Sequence, residues 1–197
     1  MPGRTLSASQ VSTWLSCHRK WAFRHRERLP REFRASALAF GSAVHSALDW
    51  FHTERLDGAQ PTPERVARVF RADWDAELDE PIRFKDGESA DALSETGEAL
   101  VRLYVERFGN TLVEATELAF EVPLVDLETG EVLDASIRGY VDLLLPDDTL
   151  VEVKSIPSAS GAPASLLRYS RPSHRRQRAA LFVTHGHSSS RGRSDRV

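Results

Sequence analysis

Two apolar runs separated by Pro146-Asp147-Asp148 constrain this 197-residue chain more than any other feature, because between Ile137 and Lys154 they read as strand, tight turn and strand. If the loop is the three residues 146–148, Leu145 closes on Thr149. Counting back in twos then sets Asp142 across from Glu152, with their Cβ atoms about 5 Å apart. Like charges opposed on a sheet repel unless something positive lies between them, and a divalent cation fills that role. Glu152 and Lys154 share a strand face, while Val151 and Val153 point into the opposite layer. The same alternation also suits a plain half-exposed hairpin in which Glu152 and Lys154 pair in solvent.

Upstream, the apolar period is helical. Ser7 followed by Gln10 is a capping box that starts a helix running to about His25, with Val11, Trp14, Leu15 and Trp21 apolar and Arg19, Lys20, Arg24 and Arg26 charged. A second helix spans about 37–55 on the stripe Phe40, Val44, Ala47, Leu48 and Phe51, and His45 lies about 100° round from Val44 at its edge. Thr62-Pro63 caps a third, with Val66, Val69, Phe70 and Trp74 inward, and a fourth runs from about Ala90 to Phe108. The period then changes to two at Leu118, Phe120 and Val122, which reads as the first strand of the sheet. A turn at Glu128-Thr129-Gly130 leads into the strand carrying Asp142. Residues 155–163, rich in Ser, Pro and Gly, read as a loop. Residues 172–184 read as a helix bearing Arg175, Arg176, Gln177 and Arg178, and 188–197 as a disordered tail. The expected fold is α/β (α+β): one domain over 1–187, with a helical part at about 7–108 and a mixed central sheet in the core at about 112–187.

Charge is uneven along the chain. Residues 1–36 carry eight Arg or Lys against two Glu, residues 165–197 carry eight Arg against one Asp, and the acidic centre brings the net charge to −3. Basic ends around an acidic middle suit a protein that grips phosphates at its edges and gathers cation-binding carboxylates inside. Solvated faces of acidic helices give the same pattern. No apolar run approaches the ~20 residues of a membrane span, and the first ten residues lack a signal peptide's apolar stretch, so cytoplasmic residence is the expectation. A single cysteine excludes an internal disulfide, and Cys17 reads as a small buried hydrophobe.

Four segments in order, from residue 6 to residue 181, carry a resemblance. They are Leu6-Ser7-Ala8-Ser9 with Cys17-His18-Arg19-Lys20-Trp21; Gly41-Ser42-Ala43-Val44-His45; Gly139-Tyr140-Val141-Asp142 followed by Glu152-Val153-Lys154; and Gln177 on the last helix. Together they resemble the PD-(D/E)XK nuclease superfamily, in its RecB-like exonuclease branch, to which CRISPR-associated nucleases also belong. The resemblance implies a restriction-endonuclease-like core and a metal-dependent deoxyribonuclease acting in DNA repair, recombination or phage DNA processing. It implies that His45, Asp142, Glu152 and the main-chain carbonyl of Val153 hold Mg²⁺ or Mn²⁺. Asp142, Glu152 and Lys154 would be catalytic, with Lys154 orienting the attacking water or stabilising developing charge. It further implies Gln177, Arg19, Lys20 and Arg176 as DNA contacts, with DNA single strands or duplex ends as partner beside a helicase or recombination protein, and no membrane. Glu117 and Glu121 fall near where relatives sometimes carry an additional acidic site residue.

The chain departs from the pattern in two places. Leu181 stands four after Gln177 where the family has tyrosine, and Cys17 alone cannot supply the four thiolates of the iron–sulfur cluster that many relatives hold. Two other functional readings therefore stand beside the nuclease. One is a catalytically inactive or truncated nuclease-fold module that binds DNA or assembles with partners; the other is an unrelated metal-dependent hydrolase of small phosphoesters.

Overall fold

The structure, a computed structural model, describes residues 4–156 and 164–170, with residues 155–156 and 164–170 described by their backbone. The expected helix at 172–184, with Gln177 and Arg176, and the tail at 188–197 lie outside the described residues. Strand β1 (Arg4–Ser7) leads into α1 (Ala8–Ser16), α2 (His18–Trp21) and a π-helical turn, Ala22–Arg26. The core helices follow: α3 (Ser36–Leu56), α4 (Pro63–Glu77) and α5 (Ala90–Phe108). Short strands β2 (Arg34–Ala35) and β3 (Ile82–Arg83) pair in parallel between them. The chain then builds β4 (Ala115–Val125), β5 (Val132–Leu144), β6 (Leu150–Ile156) and β7 (Ala164–Ser170). No described helix is long and apolar enough to cross a membrane.

The helical period places the core where the sequence predicts it. All five stripe residues of α3 are buried, against Val66, Phe70 and Trp74 of α4 and Leu100, Val101 and Tyr104 of α5. Phe40 meets Phe70 and Trp74 edge-on, with ring centroids 5.9 and 6.2 Å apart. Thr62 caps α4 through its side chain, and Pro63 occupies its first turn. Gly97 of α5 faces the Phe70 ring so closely that a Cβ there would lie 1.9 Å from Cζ. Helices α4 and α5 therefore touch backbone to ring at that level, which no larger residue allows.

Strand β5 organises the sheet. Along one edge it pairs antiparallel with β4, from Ala115↔Leu144 to Val125↔Val132. Along its other edge it pairs in succession with β1, parallel from Arg4↔Ala135 to Ser7↔Arg138, and with β6, antiparallel at Leu143↔Val151 and Leu144↔Leu150. Residues 139–142 lie between those two partners, so the sheet is split there. The turn closes as its length predicts: the Leu145 N–H donates to the Thr149 carbonyl at 3.0 Å, and Asp148 takes a left-handed φ of 60°. Leu143, Val151 and Val153 enter the helical core, whereas Glu152 and Lys154 stay exposed. This mixed sheet with its helical layer is a restriction-endonuclease-like α/β fold.

Four expectations are corrected. The first strand of the sheet is β1, ahead of every helix; four residues of weak pattern become a strand because the free edge of β5 supplies their hydrogen-bonding partners. The opening helix does not run unbroken to His25, because Cys17 is extended (φ −165°, ψ 109°) and restarts the chain by accepting the Lys20 N–H on Sγ at 3.4 Å. Cys17 is accordingly exposed rather than a buried hydrophobe. The apolar side chains of this segment pack on each other instead of on the core. Trp14 stacks on His18 with centroids 4.1 Å apart and meets Trp21 edge-on. Finally, the segment read as a loop from residue 155 continues β6 to Ile156, and beyond it β7 pairs antiparallel with β6 from Leu150↔Ser170 to Ile156↔Ala164.

Candidate metal centre

The split in the sheet is where the polar side chains converge. With the β5–β6 ladder unpaired past Leu143↔Val151, the Asp142 carboxylate takes the place of a backbone carbonyl as acceptor. Its Oδ2 accepts the Val153 N–H at 2.6 Å. Its other oxygen, Oδ1, lies 3.8 Å from His45 Nδ1, on the α3 flank that the Val44 stripe turns towards the sheet. Register either side of Glu117 (Thr116↔Leu143 and Leu118↔Val141) sets that residue across from Asp142, and Glu117 departs from strand geometry with φ 45°. A left-handed φ at a non-glycine residue costs on the order of 1–3 kcal/mol and recurs at functional sites. One ligand atom each from His45, Glu117 and Asp142 lie within 4.8 Å of one another.

The electrostatics follow from that crowding. Burial pushes the Asp142 carboxyl above its ordinary pKa and Glu152 adds to the rise, against the opposing pull of the Val153 N–H, His45 and Lys154. Glu117 is likewise raised, first by burial and then by the negative charges of Asp142 and Asp49, with His45 opposing. Two carboxylates that resist ionisation together, flanked by an imidazole, are a donor set that a divalent cation relieves. Two carboxylate oxygens and one imidazole nitrogen are ligands that suit a divalent cation.

The expected residues fall into two groups. His45 and Asp142 are brought together. Glu152 and Lys154 sit on the neighbouring strand, near enough to act on the Asp142 charge, but Glu152 Oε1 pairs with Lys154 Nζ at 3.1 Å and its side chain is 61% exposed. The Val153 main chain meets Asp142 through its N–H. Glu117 joins the cluster, whereas Glu121 turns away and accepts hydrogen bonds from the hydroxyls of Thr5 and Ser136. Arg19 and Lys20 lie exposed on α2, with the Arg19 guanidinium 5.3 Å above the Phe23 ring. Asp49 was missed: its Oδ1 accepts the Thr116 hydroxyl at 2.8 Å, and that hydroxyl lies 3.2 Å from the Asp142 carbonyl. Its signal was in plain view, since Asp49 is one helical turn beyond His45 on the same face.

A split mixed sheet with a carboxylate–imidazole cluster at the split defines the class: an α/β fold of the restriction-endonuclease kind with a site suited to a divalent metal. The family model of the PD-(D/E)XK nuclease superfamily matches residues 5–168, and the chain belongs to that superfamily. Comparison with curated proteins and with solved structures gives no match.

Proposed function

We propose that this chain is a metal-dependent deoxyribonuclease that hydrolyses phosphodiester bonds from DNA ends, in repair, recombination or phage DNA processing. The observation that carries the reading is the meeting of His45, Glu117 and Asp142 within 4.8 Å at the sheet split of a PD-(D/E)XK fold. In this reading His45, Glu117 and Asp142 hold the metal, with Glu152 and the Val153 carbonyl completing the set. A bound Mg²⁺ or Mn²⁺ polarises a phosphoryl oxygen and lowers the pKa of a water beside it. The Val153 N–H fixes one Asp142 oxygen and leaves the other directed at His45, so the ligand geometry is set before DNA arrives. Glu152, exposed and held among the described residues only by Lys154, can turn to the phosphate side of the cluster. Lys154 is then released to orient the attacking water and to stabilise the charge that grows on the phosphoryl oxygens.

The test is degradation of end-labelled single- and double-stranded DNA with Mn²⁺, Mg²⁺ or EDTA by the intact protein, Asp142→Ala and Lys154→Ala. The expected result is metal-dependent shortening from the ends that both substitutions abolish. DNA binding without cleavage under either metal would assign the chain to the non-catalytic, DNA-binding use of the fold.

A further inference from the structure

The exposed face of β5 beside the metal cluster carries two side chains, Arg138 and Tyr140, for which the described residues supply no hydrogen bond or ion pair. Along an extended strand, Arg138, Tyr140 and Asp142 share a face. Their partners across the β4 ladder are Glu121 and Ala119, and then Glu117 by register. Tyr140 is 67% exposed, an unusual cost for an aromatic ring in a sheet, and the residue opposite is the small Ala119, so one side of the ring is open. Ala119, Glu121, Arg138 and Tyr140 line a shallow groove, floored by Phe120 and Gly139. Gly139 and Phe120 turn to the opposite face of the strand pair, where a Cβ at Gly139 would lie 2.7 Å from the Phe120 ring, so they floor the groove with main chain alone. Arg138 faces Glu121 but forms no ion pair with it among the described residues, and Glu121 instead accepts the Thr5 and Ser136 hydroxyls on Oε1. The Arg138 guanidinium is left free for an anion.

We propose that this groove binds an unpaired nucleotide of single-stranded DNA next to the scissile phosphate, with Tyr140 stacking on the base and Arg138 holding a phosphate. Tyr140 is two residues from Asp142, about 7 Å along the strand, so the stacked nucleotide neighbours the one at the metal. An aromatic ring offers its face to any base, which gives affinity without sequence preference. In a duplex both faces of an internal base are covered by its neighbours, so the groove selects single strands or frayed ends. The inference rests on the nuclease reading for its biological setting, but its test does not.

Fluorescence anisotropy in EDTA, with a labelled 12-mer of thymidines and a blunt duplex of mixed sequence, separates the two. Tyr140→Ala should weaken single-strand binding about tenfold or more and leave duplex binding unchanged, while Tyr140→Phe, which keeps the ring, restores it. Arg138→Gln should reduce the slope of log affinity against log salt on the single strand by about 0.7. Wild-type protein without single-strand binding, Tyr140→Ala bound as tightly as wild type, or an equal loss on strand and duplex would each overturn the groove. Preserved binding discrimination in a protein that cleaves no DNA with any metal would overturn the nuclease reading and leave the groove standing.

Discussion

His52 is the most exacting test of the helical core. It sits on α3 with 1% of its surface exposed, its Nε2 is 2.8 Å from the Tyr104 hydroxyl, and its Nδ1 is buried without a partner among the described residues. Protonation would place an N–H and a charge at that Nδ1. Burial, followed by the nearby Arg55 charge, accordingly lowers the His52 pKa from 6.5 to about 4. Because the folded pKa is depressed, the unfolded chain binds a proton below pH 6.5 while the native state binds none until about pH 4. Stability from this group is therefore intact above pH 6.5, falls as pH drops through the window, and levels off below pH 4. The shift of about 2.5 units corresponds to a ceiling of about 3.4 kcal/mol, and to about 2.4 kcal/mol between pH 7 and pH 4.5. Carboxylates titrate over the same range, so the informative quantity is the difference between wild type and His52→Phe, measured by urea unfolding at both pH values. The variant should be less stable at pH 7 by about 1 kcal/mol for the lost hydrogen bond, yet should lose about 2.4 kcal/mol less on acidification. A pH dependence identical in the two proteins, or a His52 imidazole that titrates near 6.5 by NMR, would refute the reasoning.

Gly97→Ala should destabilise the fold by about 1–3 kcal/mol in the same unfolding assay, because its new methyl group enters the Phe70 ring, and a second change, Phe70→Leu, should recover part of the loss. Glu117→Gln should lower Mn²⁺ affinity about tenfold or more by isothermal titration calorimetry; unchanged affinity would remove Glu117 from the metal set. Ser7→Ala should cost about 1 kcal/mol by urea unfolding, since the Ser7 hydroxyl accepts the Gln10 N–H and the Gln10 side chain accepts the Ser7 N–H, two bonds that fix the start of α1. Cys17 should react with a thiol reagent in the folded protein at close to the rate of an unstructured peptide thiol; protection would show that the segment packs against something beyond the described residues.

Much of this protein was decided by local pattern. The α3 stripe, the Thr62-Pro63 start of α4, the span of α5 and the closure of Leu145 on Thr149 are all short-range consequences of side-chain period, capping and turn chemistry, and each was legible in the sequence. His45, Asp142, Glu152 and Lys154 stood out in the sequence as candidate site residues. Their partition did not. That Asp142 turns into the split and meets His45 and Glu117, while Glu152 pairs outward with Lys154, depends on where β1 and β6 leave β5 uncovered, and strand pairing between residues 4–7 and 135–138 has no local signature. The same holds for Gly97 against Phe70 and for Cys17 at the surface, where a residue's role is set by what the fold brings to its side. Sequence determined the elements and their chemical equipment because period and capping act over a few residues; only the tertiary structure decided which carboxylates come together, because that depends on contacts between distant segments, with Asp142 97 residues from His45 and Ala135 131 from Arg4.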